Sequence, residues 1–236
     1  MTSTEAAPLQ NVCHLTTRRQ QWKGLWIHAW NPKFSGSAAL IEGRYLITAA
    51  HNVADYPLAN RLMRLEVRCN APIAANQKPD VVLHRHQLKA QVAVPRYAYR
   101  VRIPPSTRKF QFDYAFVDLG TVLPIPNQFA LSPEVHPDSG TVIFLAGYPG
   151  GDISNTDTLF RAEGAVMDQR PPNLFSYTIA TATGNSGGPV WLVRDDEIYL
   201  VGVHVADQVA RRVDERFYND WQAWRRKREA ASLTGR

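Results

Sequence analysis

Three short stretches carry residue types that can act together on an acyl group. Thr48-Ala49-Ala50-His51 ends a strand-like run in a histidine. Asp113 opens the apolar run Tyr114-Ala115-Phe116-Val117, and Gly184-Asn185-Ser186-Gly187-Gly188-Pro189 sets a serine among glycines. A serine hydroxyl attacks a carbonyl effectively only when a neighbouring base takes its proton. An imidazole, with an ordinary pKa of about 6.5, can accept that proton and return it to a leaving amine. A carboxylate fixes the imidazole tautomer and stabilises its protonated form. Glycines beside Ser186 permit a tight turn in which the Gly184 and Ser186 amides point at one place and form an oxyanion hole. Gly187 and Gly188 are expected to leave room for a closely approaching substrate backbone.

Each stretch also has a plainer reading. His51 could be a core histidine, and Gly184–Pro189 a surface turn. Their order, His then Asp then Ser on one β-rich chain, argues for a site. Asp80, before Val81-Val82-Leu83, competes with Asp113 for the carboxylate role. Asp113 is preferred because Ala115 and Val117 share its face on a strand running into the core, whereas Asp118 lies on the other face. The separation of 62 residues from His51 to Asp113 implies a long insertion, 54–110.

The elements that would position these residues are short β segments separated by Gly, Pro and Asn. Strands are expected at 37–41 and 45–48 around a tight turn, then at 62–68, 81–84, 88–94 and 114–119. A second set follows at 141–146, 160–167, 175–180, 189–193 and 198–205. Such spacing suits an all-β chain with enough strands for two barrels. The Pro-rich stretch 123–137 is the natural linker. The expected units are an N-terminal barrel over 22–122 carrying His51 and Asp113, and a C-terminal barrel over 138–207 carrying Ser186. A basic amphipathic helix and tail over 208–236 completes one functional unit. In the helix, expected over 214–231, Phe217, Trp221 and Trp224 fall at i, i+4 and i+7 and should pack on a barrel.

At 44% hydrophobic and 20% charged residues, the 236-residue chain is globular rather than disordered. No apolar run is long enough for a membrane helix. The first residues lack a secretory pattern, so the expected location is cytoplasmic unless a leader has been removed. Of the net charge of +6, residues 208–236 carry eight basic and four acidic groups. That basic tail is the one hint of an acidic or nucleic-acid partner, and solvated charge is the simpler reading. Cys13 and Cys69 are read as two free buried thiols. His84 and His86 would share a strand face, but no further ligand accompanies them, so neither a metal nor a cofactor is expected.

The stretches SGSAALIEGRYLITAAHNV, DYAFVDL, LAGYPGG, TATGNSGGPVW and YLVGVHVA resemble the V8-like glutamyl endopeptidase group of chymotrypsin-fold serine proteases. They are more distantly similar to the HtrA protease domain. The resemblance implies a chymotrypsin-like double β-barrel with a C-terminal α-helix, and serine endopeptidase activity on protein or peptide substrates. It implies the catalytic triad His51, Asp113 and Ser186, with Gly184 and Ser186 as the oxyanion hole. It also implies a substrate-binding pair, Thr181 and His204, that would receive a P1 Glu first and Gln second. Ala180 stands where trypsin-type enzymes place the aspartate that selects Lys or Arg. Asn185 replaces the aspartate that pairs with a newly cut N-terminus. Asn52 excludes the disulfide that clamps the histidine loop of secreted animal proteases. A complete triad without a secretory pattern or that activation pair, beside the 54–110 insertion, suggests regulation by a protein partner, a substrate-presenting complex or loop ordering. The competing reading is a catalytically silent binding module on the same fold.

Overall fold

The computed structural model describes residues 7–21, 33–55, 60–70, 77–95, 107–150, 158–170 and 173–234. Residue 22, where the first barrel was expected to begin, and parts of the 54–110 insertion lie outside the described residues. Thirteen described strands make two sheets. The first is seven-stranded, in the order β5-β4-β1-β2-β3-β7-β6. It comprises β1 (Val12–Gln21), β2 (Lys33–Ile41), β3 (Tyr45–Thr48), β4 (Asn60–Arg68), β5 (Val81–His84), β6 (Val92–Ala93) and β7 (Ala115–Asp118). The second is a closed six-stranded barrel, in the order β10-β13-β12-β11-β8-β9. Its strands are β8 (Val142–Gly147), β9 (Phe160–Arg170), β10 (Leu174–Tyr177), β11 (Pro189–Arg194), β12 (Glu197–Ala206) and β13 (Val209–Arg212). The fold is chymotrypsin-like, mostly β, with three helices among the described residues: α1 (Ala50–Val53), α2 (Arg85–Gln91) and α3 (Glu215–Thr234).

Alternation explains why β2, β3 and β7 are buried on both faces. Leu40, Leu46, Ala115 and Val117 point into the first sheet's own core with Leu15, Leu65 and Leu83. Ala39, Ile47 and Phe116 face the opposite way, into a cluster that includes Trp191 and Leu200 of the second barrel and Phe217 and Trp221 of α3. The α3 aromatic stripe is thus core: Trp221 meets Tyr45 and Phe116 at ring separations of 5.4 Å each. The later arginines of α3 are partly engaged as well. Arg225 pairs with Glu42 and Glu229, and Arg228 reaches the fully buried Asp118, which Arg44 also holds at 2.8 Å. Burial pushes the Asp118 carboxyl up, but hydrogen bonds from Arg44, the Gly120 amide and Arg228 outweigh it and keep it below the ordinary range.

Four expectations are corrected. Strand β1 was not anticipated, because Val12, Cys13 and Leu15 are its only apolar residues and it is polar from Thr16 to Gln21. Once β1 pairs with β4, Cys13 falls beside Cys69 with Cα atoms 4.2 Å apart, and the two form a disulfide rather than free thiols. The expected strand 88–94 is mostly the helix α2, opened by a reciprocal cap between His84 and Gln87, with only Val92–Ala93 extended. His84 and His86 therefore do not share a strand face: one ends β5 and the other sits in the first turn of α2. The segment from 208 opens with a strand of the second barrel, β13, before α3 begins.

Candidate active site

His51 sits in α1, the single turn that follows β3. Its backbone N–H donates to Asp113 Oδ1 at 2.9 Å, and its ring Nδ1 lies 2.7 Å from Oδ2. One carboxylate thus holds both the main chain and the ring. With Nδ1–H donating to Asp113, the basic lone pair is left on Nε2. Asp80 plays no part here; it accepts the Cys69 amide at 2.7 Å.

The segment bearing Asp113 is itself anchored from the other barrel and from α3. The Asp113 amide closes the 3-10 turn Thr107–Phe112 on the Phe110 carbonyl. Buried Arg211 donates to the Gln111 carbonyl at 2.6 Å, lies over the Tyr114 ring and pairs with Asp214. The Tyr114 hydroxyl reaches Asp220 of α3 at 2.5 Å. Burial, with help from that acceptor, pushes the Tyr114 phenol well above its ordinary value.

The end of α1 is capped from β1. Arg19 donates to the carbonyls of Ala54 at 2.8 Å, His51 at 3.0 Å and Asn52 at 2.6 Å. These are carbonyls that a one-turn helix cannot satisfy itself. A register shift between Arg18 and Arg19 accompanies this contact.

Ser186 lies in a turn whose glycines are dictated by packing. Gly184 has φ +98°, and a Cβ there would lie 2.3 Å from the Gly150 nitrogen. Gly187 has φ +87°, and its Cβ would meet the Ser37 carbonyl at 2.1 Å. At Gly188 the obstacle is the Ala146 carbonyl at 2.3 Å. Gly187 and Gly188 therefore serve close approach to β2 and β8. The Ser186 carbonyl accepts the Ser37 amide and the Asn52 side-chain amide, each at 2.8 Å.

His204 is brought to the same turn by the backbone: its carbonyl accepts Gly187 N–H at 2.8 Å and its amide donates to Gly188 at 3.0 Å. Its ring is buried, with Nδ1 2.5 Å from the Tyr177 hydroxyl. Burial first, and then the positive charge of His51, push the His204 imidazole down to about 4, against weaker opposing effects of the Val209 carbonyl and Asp113. The Tyr177 hydroxyl is pushed well above its ordinary value by burial and stays protonated. With that hydroxyl donating to Nδ1, the His204 proton would sit on Nε2. Thr181 lies half-buried between β10 and the Ser186 turn. Arg19, Ser37, Asn52 and Tyr177 were not singled out for these roles from the sequence, since each meets a partner distant along the chain.

Among the described residues no group of three or more His, Cys, Asp or Glu could hold a metal ion. No helix among them is long and apolar enough to cross a membrane.

Comparison with known proteins places this arrangement. A solved Glu endopeptidase in complex with MPD is similar over 93% of this chain and 92% of its own, with 20% identity and a TM-score of 0.59. An inactivated protease paralogue of the scabies mite is similar over 94% and 96%, with 17% identity and a TM-score of 0.58. At such identities the likeness is one of fold. No curated protein sequence matches the chain. The trypsin-like peptidase domain matches residues 36–203, which span His51, Asp113 and Ser186. By that match and by its fold, the chain belongs to the trypsin-like peptidase family of chymotrypsin-fold serine proteases.

Proposed function

We propose that this protein is a serine endopeptidase acting through an acyl-enzyme on Ser186. His51 Nε2 takes the Ser186 proton during attack and returns it to the leaving amine. Asp113 holds the ring and stabilises the imidazolium, and the Gly184 and Ser186 amides receive the oxyanion. The observation that carries this reading is the Asp113 carboxylate spanning the His51 amide and Nδ1. A silent binding module would not need that fixed tautomer.

For specificity, His204 and Thr181 are the proposed P1 contacts. A buried neutral imidazole offers an Nε2–H donor but no compensating charge. Burying a carboxylate against it costs more than burying an amide oxygen. We therefore rank P1 Gln ahead of Glu, reversing the order that the resemblance alone implies; likeness in fold to a Glu endopeptidase is what favours Glu.

The test is P1 profiling of the wild type, Ser186→Ala and Asp113→Asn against a mixed peptide library. Cleavage after Gln or Glu that vanishes in Ser186→Ala and drops ~10⁴-fold in kcat for Asp113→Asn supports the reading. Equal silence of the wild type and Ser186→Ala refutes the enzyme reading and leaves the binding module.

A further inference from the structure

Among the described residues, the Ser186 carbonyl is held by groups of α1 and β2 that have no place in the proposed chemistry. Asn52, immediately after His51, sends its side-chain amide to that carbonyl at 2.8 Å and to the Thr48 hydroxyl at 3.0 Å. Ser37 of β2 adds its own backbone N–H to the same oxygen at 2.8 Å, and the Ser37 hydroxyl donates to the Gly184 carbonyl at 2.8 Å. Thr48 closes the circuit by donating to the Ser37 carbonyl at 2.7 Å. The surroundings are shaped around this amide. A Cβ at Gly36 or at Gly187 would lie 2.7 Å from Asn52 Nδ2.

The consequence is mechanical. The peptide planes after Gly184 and after Ser186 are both pinned, so the plane between them, which carries the Ser186 N–H, cannot rotate independently of its neighbours. That N–H is one of the two proposed oxyanion donors, and such donors act only when fixed in advance. The same residue fixes the spacing of base and nucleophile. The Asn52 main chain belongs to the turn that carries His51, anchored by Arg19, while its side chain grips Ser186.

We propose that Asn52 and Ser37 are positioning residues for the nucleophile turn, doing with hydrogen bonds between the barrels what a histidine-loop crosslink does elsewhere by tethering the loop. The proposal rests on the Ser186 acyl-enzyme reading. Asn52→Leu removes the donor at nearly constant volume, and Ser37→Ala removes one hydroxyl while keeping the backbone N–H that donates to the Ser186 carbonyl.

The experiment measures phosphonylation of Ser186 by a fluorophosphonate probe, together with kcat and KM on the best peptide from P1 profiling, and thermal melts of each variant. A misplacement of this kind costs on the order of 10–100-fold. Asn52→Leu is expected to lose that much in both labelling rate and kcat, with KM within about twofold of wild type, because the P1 pocket is untouched. Ser37→Ala is expected to lose roughly three- to tenfold in the same direction, and where Asn52→Leu does not fold, wild-type labelling and kcat in Ser37→Ala overturn the role. Wild-type labelling rate and kcat in a folded Asn52→Leu, or a rise in KM at constant kcat, overturns the positioning role alone. A wild type that the probe does not label overturns both this role and the acyl-enzyme reading.

Discussion

The burial of His204 makes folding itself sensitive to pH, and the size of the effect follows from the site. In the folded protein the imidazole stays neutral until the pH nears about 4, because burial and the charge of His51 oppose its protonation. In the unfolded chain it titrates near its ordinary value of about 6.5. Between these values the unfolded state holds more protons than the folded one, so stability falls as pH falls. The interval of about 2.5 pH units corresponds to about 3 kcal/mol at about 1.4 kcal/mol per unit. The contribution is fully in place above pH about 6.5 and is lost progressively on the way to about 4. His204→Gln keeps a polar partner for Tyr177 but cannot titrate. Urea unfolding of both proteins at several pH values between 7 and 4 isolates the term, since the other ionisable groups are shared. The expected result is a wild type that loses about 3 kcal/mol more than the variant over that range. Parallel stability curves would refute the argument and, with it, the neutral donor on which the ranking of Gln over Glu depends.

Two further outcomes concern the frame around the site. Replacing Cys13 and Cys69 by serine opens a crosslink across 56 residues of sequence. The chain-entropy account puts its loss at about 4 kcal/mol, so the variant should melt at a markedly lower temperature, and a wild type unaffected by strong reductant would count against it. Trp221→Ala removes a fully buried indole from the junction of α3, β3 and β7. It should cost about 3–5 kcal/mol in denaturant melts, and a loss below about 1 kcal/mol would mean that α3 does not brace the sheet.

Much of this protein was legible along the chain, because the relevant information is local. Short apolar runs between turn residues mark β2, β3, β5, β11 and β12, and the i, i+4, i+7 aromatics mark the inner face of α3. The residue types at His51, Asp113 and Ser186 state their own chemistry. That signal fails where a strand is polar over most of its length, as in β1, or where a short segment satisfies two periods, as in α2. Partners distant in sequence were out of reach. The Cys13–Cys69 bond, the Arg19 cap on α1 and the grip of Asn52 on Ser186 join positions 56, 33 and 134 residues apart. Such pairs become neighbours only when strands take their register and the two barrels close on each other. Closure of the second barrel on itself likewise brings His204 of β12 against Tyr177 of β10 and lowers its pKa by burial. The sequence by itself determined which chemical groups are present and which faces turn inward, since both follow from residue type and local period. Tertiary structure alone decided which groups meet and how dry their surroundings are, because contact and desolvation belong to the folded whole rather than to any segment of it.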